Sequence, residues 1–365
     1  MTVLRSLYSL CRTPEPRRTG LGALILVAGF QASPAIPGRA EARLDAGTAE
    51  IVRVVDGDTL EVRLGVPPDG ESVKLRLLSV DTEEKISGRA SSSPTKPETV
   101  FGEETAQWAR GFFADLQRGS GGEPLRVGLA FPEGRRTDAY GRLLCHVLLP
   151  DGRDFNLLLV EQGKSPYFNK YGNSLVAHAA FARAQESARA AELGIWNPAT
   201  NRAKTPGAHS AVRPYARLLP WWDARAAAID VFRAHAAREP DGWLAAEDPA
   251  AMQRAYERCR REPMLRVTVF TTIERFYDEK DGSLTALLRS GDARTALRAE
   301  VAASERVELE PLLRASTQEF RQNYLYATGR MEQSARGFVL RGATRADWRL
   351  AEPAYPPPSV PHTAK

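Results

Sequence analysis

Carboxylates follow two short apolar segments of the chain, at positions where a β-strand would end. Asp56 and Asp58 flank a glycine after the first segment, and Asp81 follows the second segment, with Glu84 three residues further on. Arg76 stands among leucines inside that second segment. A buried guanidinium needs an anionic partner, and clustered carboxylate oxygens are ligands that a hard divalent cation prefers. The pattern therefore predicts either a structural ion pair or a cation site.

A third cluster, Arg136 to Arg142, places another arginine at the start of an apolar run. Taken together, the three clusters hold the groups that hydrolysis of a phosphodiester requires. A carboxylate can accept a proton from an attacking water, and a planar guanidinium can donate two hydrogen bonds to the charge that builds on the phosphate. Each cluster alone is unspecific, because Asp-Gly turns are common in hairpins. Their combination predicts a metal-dependent phosphodiester hydrolase.

Short runs rich in Val and Leu, separated by Gly, Pro and Asp, predict the strands that position these groups. Five such runs indicate a small five-stranded barrel of the OB type, and three helical segments accompany it. The fold class is therefore mainly β with helices (α+β). The predicted strands are Ile51–Val55, Leu60–Leu64, Val73–Val80, Leu125–Ala130 and Leu143–Leu149, and the predicted helices are Glu103–Leu116, Asn156–Gln162 and Ser174–Leu193.

In these motifs the sequence resembles the staphylococcal nuclease (thermonuclease) family, from Thr48 to Pro198. The resemblance implies a calcium-dependent nuclease that cleaves DNA and RNA with little sequence preference and leaves 3′-phosphate ends. It also implies a role for each matching residue. Calcium would bind to the carboxylates of Asp58 and Asp81 and to the carbonyl of Thr82. Glu84 would activate or orient the attacking water, and Arg76 and Arg142 would hold the scissile phosphate. Tyr140 and Tyr167 would line the nucleotide pocket.

The sequence departs from the family pattern at three places. Glu83 stands where the family usually has Pro before the catalytic Glu, so the loop loses a fixed φ and gains a charge. The segment Lys85 to Thr99 is longer than in the family prototype, and Ala139 stands where a phosphate-contacting Lys is common. Because the spacing to Glu84 is kept, we expect weaker binding of a terminal phosphate and retained catalysis.

The first 42 residues predict an export signal. Arg17 and Arg18 precede the apolar run Leu21–Phe30, and the sequence from Ala40 to Ala42 fits a small-x-small cleavage site. About 10 apolar residues are too few to cross the ~30 Å hydrocarbon layer of a bilayer as a helix. We therefore expect a secreted or periplasmic protein without a stable membrane span after cleavage, or a cell-envelope protein if the segment is retained.

Beyond the nuclease-like segment we expect a linker at 199–220, a helical segment at 221–263, a second small β-barrel of the OB type at 264–350 and a disordered tail at 351–365. Residues 199–365 hold 26 basic and 21 acidic residues, whereas residues 43–198 hold 19 and 22. This basic excess and several aromatics favour a second surface for nucleic acid. The alternative is that these aromatics form the core. They are Phe276, Tyr277, Tyr324, Tyr326 and Phe338.

Two other classes of function remain open. Barrels of this type also serve as non-catalytic nucleic-acid-binding scaffolds, although a scaffold has no reason to keep the five charged residues Asp58, Arg76, Asp81, Glu84 and Arg142 together. The chain could also be a cell-envelope protein in which the strand-rich block after residue 264 is the functional part. The sequence points to nucleic acid as the partner and to no particular protein partner.

Overall fold

The structure, a computed structural model, describes residues 44–65, 70–87, 96–132, 137–138, 140–200, 212–289, 291, 296–316, 323–341 and 344–351. The predicted export signal lies outside these residues. So do the predicted tail, apart from Ala351, and the middle of the predicted linker. No helix within the described ranges has the length and apolar character needed to cross a membrane.

Five strands form a closed barrel in the first half of the chain, in the order β1-β2-β3-β5-β4. All neighbours are antiparallel except β3 and β5, which run parallel. In β2 the side chains of Leu60 and Val62 are buried, and those of Glu61 and Arg63 are more exposed, as expected for a strand with one face on the core. The predicted OB-type barrel is confirmed. Its strands are β1 (Leu44–Val54), β2 (Thr59–Leu64), β3 (Glu71–Leu77), β4 (Arg126–Ala130) and β5 (Leu143–Leu148).

Three helices accompany this barrel: α1 (Val100–Gly119), α2 (Phe155–Glu161) and α3 (His178–Ala190). α1 connects β3 with β4 and begins after Thr99, whose side-chain oxygen accepts a hydrogen bond from the Gly102 N–H at 3.0 Å. This contact satisfies one of the backbone donors that a helix N-terminus leaves without a partner in the helix. The start of α1 is therefore fixed next to the loop that follows β3.

A long helix, α4 (Tyr215–Arg238), connects the two halves of the chain. It begins inside the segment predicted as a linker, which was expected to extend to Pro220. An interior proline disfavours a helix because it removes a hydrogen bond. Here the neighbours Trp221 and Trp222 are buried in an apolar cluster with Ile195, and their burial offsets that cost.

Eight strands form a second sheet, ordered β6-β7-β11-β12-β10-β9-β8, with β13 paired to β11. β7 and β8 follow one another in the chain with only Thr272 between them, although they lie near opposite ends of the strand order. Two pairs of neighbours in this sheet run parallel, β10 with β12 and β6 with β7. The strands are β6 (Trp243–Ala245), β7 (Val267–Thr271), β8 (Ile273–Asp278), β9 (Leu284–Leu288), β10 (Leu297–Val301), β11 (Leu325–Ser334), β12 (Gly337–Arg341) and β13 (Trp348–Leu350).

Two further helices belong to this half: α5 (Pro249–Arg261), which precedes β7, and α6 (Ala303–Ala315), which lies between β10 and β11 in the chain. Along the chain, α6 therefore follows the third strand of the series β8, β9 and β10, as α1 follows the third strand of the first barrel. Met252 and Cys259 of α5 and Leu309 and Leu313 of α6 are buried in the core of the second sheet. The strand-rich block therefore has a hydrophobic core of its own.

Most aromatics predicted to stack on bases in this half have another position. Tyr326 and Phe338 are buried, and Phe276 packs against the core. Tyr324 packs against a smaller apolar cluster beneath α4, whereas 41% of Tyr277 is exposed. Phe276 and Phe338 therefore pack with the core of the second sheet, whereas Tyr324 and Tyr326 pack against Ala228 and Ile229 of α4. The stacking prediction is wrong for the buried Tyr326 and Phe338.

Candidate active site

Three neighbouring strands bring the predicted site residues together at one end of the first barrel. Asp58 immediately precedes β2, Arg76 lies on β3, and Arg142 immediately precedes β5. Because β3 lies between β2 and β5, Arg76 is opposite Thr59 on one side and Leu144 on the other. The loop from residue 81 to 84 follows β3 and completes the cluster.

Arg76 joins the two predicted calcium ligands. Its Nη1 is 2.9 Å from Asp58 Oδ2 and its Nη2 is 2.5 Å from Asp81 Oδ1. The guanidinium also donates to the carbonyls of Leu77 and Val80, at 3.1 and 3.0 Å. Arg76 is thus engaged by two carboxylates and two carbonyls, and the two aspartates are held on the same side of the barrel end.

Asp58 is also tied directly to the loop after β3. Its Oδ2 accepts a hydrogen bond from the backbone N–H of Thr82 at 2.9 Å. The glycine between Asp56 and Asp58 lies close to this loop, because a Cβ at Gly57 would be 2.8 Å from Thr82 Cγ2. A larger residue at position 57 would therefore push the two carboxylate-bearing loops apart.

Lys96 bridges Asp81 and Glu84. Its Nζ is 2.7 Å from Asp81 Oδ1 and 3.0 Å from Glu84 Oε1. Burial lowers the pKa of this lysine, but Asp81 and Asp58 outweigh burial and hold the pKa above its ordinary value, so Lys96 is charged. Sequence reasoning missed Lys96, because a lysine in a Ser- and Pro-rich segment carries no signal of its partners.

Asp81 is surrounded by cations. Burial opposes its ionisation, but Arg213, Lys96 and Arg76 outweigh burial and hold the pKa of Asp81 below its ordinary value. Asp56 has the opposite shift. Burial, followed by the nearby Asp58 carboxylate, raises the pKa of Asp56 to about 6. Two carboxylates therefore lie close together on the side of the site next to Asp56 and Asp58.

Arg142 lies at the edge of the cluster. Its Nε donates to Asp138 Oδ2 at 2.7 Å and its Nη1 to Thr59 Oγ1 at 3.3 Å. The ring of Tyr140 is 85% exposed, and its centroid is 5.6 Å from Arg142 Cζ. Tyr140 is thus open to solvent beside a guanidinium that contacts Thr59, the residue after Asp58, which fits a residue that contacts a nucleotide.

Tyr167 does not occupy the position predicted for it. Its ring is 3% exposed and stacks on Phe181 at a centroid distance of 5.2 Å. Its hydroxyl contacts His178 Nδ1 and accepts from the Ser174 N–H. This burial contradicts the prediction that Tyr167 lines a nucleotide pocket. The aromatic residue of the same loop that faces solvent is Tyr171.

The side chain of Glu83 is buried, whereas the side chain of Glu84 is 41% exposed. The Glu83 carboxylate is buried and accepts hydrogen bonds from Arg213 and from the hydroxyl of Tyr215, at the start of α4. Glu83, which stands where the family usually has Pro, therefore has partners about 130 residues further along the chain. Sequence reasoning missed Arg213 because it lies in the segment predicted as a linker.

The donors predicted to hold a metal are two carboxylates and one backbone carbonyl, and all are oxygens, as a hard divalent cation prefers. A site built from three or more His, Cys, Asp or Glu side chains is not found among the described residues. The predicted set needs only Asp58 and Asp81 as side-chain ligands. The close approach of the Asp56 and Asp58 carboxylates also favours a cation, so the residues present fit a divalent ion.

An OB-type barrel with carboxylates and arginines gathered at one end defines a class of phosphodiester hydrolase. Residues 74–198, about a third of the chain, match the family described as staphylococcal nuclease homologue. These residues form a staphylococcal nuclease domain. The match includes Arg76, Asp81, Glu84 and Arg142, whereas Asp58 precedes it and residues 199–365 lie beyond it.

Two relatives in Escherichia coli each match about two fifths of the chain. An uncharacterized endonuclease of strain O157:H7 is 26% identical over 149 residues, which are 41% of this chain and 76% of that protein. The protein named ParB is 28% identical over 156 residues, which are 40% of this chain and 71% of that protein. The family match and the relative named as an endonuclease support nuclease activity, with nucleic acid as the substrate.

Proposed function

We propose that this protein is an exported, calcium-dependent nuclease that hydrolyses DNA and RNA with low sequence specificity and leaves 3′-phosphate ends. The observation that carries the proposal is the continuous network from Asp58 through Arg76, Asp81 and Lys96 to Glu84. In it Arg76 links the two proposed carboxylate ligands, and Lys96 links Asp81 to the candidate base, each link being within hydrogen-bond distance.

The carboxylates of Asp58 and Asp81 and the carbonyl of Thr82 would hold the calcium ion. When bound, the ion would neutralise these carboxylates and stabilise negative charge on the phosphate. Calcium adapts to irregular sets of carboxylate and carbonyl oxygens, whereas magnesium demands a near-octahedral shell. We therefore propose calcium as the ion that supports catalysis.

The remaining roles follow from exposure and contacts. Glu84 is the more exposed of the two adjacent glutamates, so it is proposed to accept the proton of the attacking water. Arg142 is 27% exposed and donates to neutral Thr59 as well as to Asp138, so it can turn toward a phosphate. The 5′ oxygen would leave and the phosphate would stay on the 3′ end.

Cleavage assays on the purified protein test this function. Single-stranded DNA, double-stranded DNA and RNA should be cut with calcium, cut poorly with magnesium and left intact with excess chelator. Asp58→Asn should abolish the calcium response, whereas Asp241→Asn, at an exposed position in the other half, should not. Full activity in chelator would overturn the metal assignment.

The product ends are tested separately. A 3′-phosphate blocks extension by a terminal transferase, so the fragments should accept nucleotides only after phosphatase treatment. Extension without phosphatase would contradict the proposed bond cleavage and leave the nuclease assignment intact.

Export is tested by sequencing the N-terminus of protein recovered from the medium or periplasm. Cleavage at the small-residue site predicts a first residue near Arg43. A chain that retains Met1 and fractionates with the cytosol would overturn export without affecting the enzymatic proposal.

A further inference from the structure

Arg213 contacts the loop of residues 81–84 from a buried position. It stands two residues before α4, and its side chain is 1% exposed. Nη1 is 2.6 Å from Asp81 Oδ2, and Nη2 donates to the carbonyls of Asp81 and Thr82 at 2.7 and 2.5 Å. A single buried guanidinium therefore binds the side chain of one predicted ligand and the backbone of both.

Glu83 fixes Arg213 in this position. Its Oε1 accepts hydrogen bonds from the Nε and the backbone N–H of Arg213, both at 3.3 Å, and from the hydroxyl of Tyr215. Tyr215 is buried and lies 5.5 Å from Trp196 between ring centroids. Because the positive charge of Arg213 is compensated by two carboxylates and all these groups are buried, the contact is rigid and not a surface ion pair.

The two oxygens of Asp81 face different surroundings. Oδ2 faces the buried Arg213, whereas Oδ1 faces Arg76 and Lys96, whose side chains are 13% and 37% exposed. Oδ1 is therefore the oxygen on the more exposed side of Asp81. Partners outside the ligand set commonly fix the orientation of ligating carboxylates, and their loss weakens metal binding.

We propose that Arg213 is a positioning residue that holds Asp81 and the Thr82 carbonyl in the orientation that binds the divalent ion. The proposal rests on the proposed function, because it takes these two residues as ligands. Arg213 lies beyond the family match, which ends at residue 198. The segment that leads into α4 is therefore part of the metal site, and residues 48–198 alone do not contain the complete site.

Calcium titration calorimetry on the full chain tests the proposal. Arg213→Met should weaken calcium binding by about 10- to 100-fold, the range expected for loss of an outer partner of a metal ligand. Arg213→Lys keeps the charge but cannot reach all four acceptors, so it should give an intermediate loss. The matched control is Arg217→Met, at an exposed position in the first turn of α4, which should bind as wild type.

A second readout needs no metal. In chelator, amide hydrogens of residues 81–84 should exchange faster in Arg213→Met than in wild type, because the loop loses its hydrogen bonds to the guanidinium. The Arg217→Met control should leave this exchange unchanged. Faster exchange together with weaker calcium binding would support the positioning role.

Calcium affinity equal to or tighter than wild type in a cooperatively folded Arg213→Met would overturn the proposal. A tighter affinity would mean that Arg213 competes with the ion. If Arg213→Met gives no cooperative melt, Arg213→Lys decides, and unchanged affinity there would overturn the proposal as well. Absence of saturable calcium binding in wild type would remove the calcium assignment and this role together, whereas equal binding by wild type and variant removes this role alone.

Discussion

Arg76 and Arg142 share a predicted role but have different surroundings. Arg76 forms ion pairs with both Asp58 and Asp81, whereas Arg142, at the edge of the cluster, donates to Asp138 and Thr59. Their replacement by lysine should therefore have different consequences, although both changes keep the charge and lose the planar fork.

Arg142→Lys should lower kcat by about 10²-fold with little change in KM, because a phosphate-stabilising donor acts mainly in the transition state. Arg76→Lys should also weaken calcium binding, because one ammonium cannot bridge both aspartates. Steady-state kinetics at saturating calcium and calcium titrations separate the two effects. If Arg142→Lys changes only KM, this arginine binds the ground state.

The adjacent glutamates allow a matched test of the proton acceptor. Glu84→Gln should lower kcat at saturating calcium by about 10²-fold, because the amide cannot accept the proton. Glu83→Gln should leave kcat at saturating calcium close to wild type, because this side chain is buried against Arg213 and Tyr215. Measured rates that show the reverse pattern would assign the base to Glu83.

Lys96 affects the metal requirement rather than the chemistry. Its ammonium lies 2.7 Å from Asp81 Oδ1, the more exposed oxygen of that carboxylate, so a divalent ion must share or displace this contact. Lys96→Met should therefore lower the calcium concentration needed for half-maximal activity. The control Lys280→Met, at an exposed turn of the other half, should not change it. A higher requirement in Lys96→Met would mean that the lysine helps to assemble the site.

Sequence reasoning could find site residues that interrupt an apolar strand or follow it directly. Asp58, Arg76 and Asp81 stand out because a charge next to a buried strand needs a partner. Lys96 and Arg213 could not be found in this way, because each lies in a segment without periodicity and meets its partners only through the tertiary fold. Tyr167 and Tyr171 are four residues apart in one loop, and only the packing distinguishes the buried ring from the exposed one.

At the scale of elements, the N-terminus of α1 and the loop of residues 81–84 are in close contact. A Cβ at Gly102 would lie 2.2 Å from the carbonyl oxygen of Glu84, whereas a Cβ at Gly111, in the same helix, would meet no atom within 4 Å. The first glycine is therefore required by packing, and the second is only a residue of poor helix propensity.

Gly102→Ala should destabilise the protein and lower its calcium affinity, because α1 or the loop must move. Gly111→Ala should raise the free energy of unfolding by about 0.5–1 kcal/mol, since alanine loses less conformational freedom in a helix interior. Urea denaturation and calcium titration of both variants provide the comparison. Equal stability of the two variants would show that the loop adapts without cost.

The elements differ in how well their sequences predict them. The first barrel was predictable, because its strands alternate buried and exposed side chains and its turns contain glycine and aspartate. The start of α4 was not, since Pro220 argues against a helix unless the burial of Trp221 and Trp222 is known. The aromatics of the second half were ambiguous for a related reason, because stacking surfaces and barrel cores draw on the same residue types.

At the scale of the whole molecule, a closed barrel and a second sheet share one helix. In each of them three strands, a helix and two strands follow one another along the chain (β1 to β5 with α1, and β8 to β12 with α6), although the sequence shows no internal repeat. The first half of α4 is buried with Phe101 and Ile195 of the nuclease domain. Its second half is buried with Phe270 and Tyr326 of the other sheet. Unfolding of either domain would therefore expose apolar surface of α4.

This shared helix predicts that the described part of the chain unfolds as one unit. In chelator we expect a single calorimetric transition, and calcium should move all of it to higher temperature, because an ion that binds only the native state stabilises everything that unfolds with its site. At a calcium concentration of about 100 times Kd, the gain is about 2.7 kcal/mol. Ile229→Asp, which places a charge between α4 and the second sheet, should split the transition into a calcium-sensitive and a calcium-insensitive part. A wild-type scan in which calcium shifts only part of the heat would show that α4 does not couple the two domains.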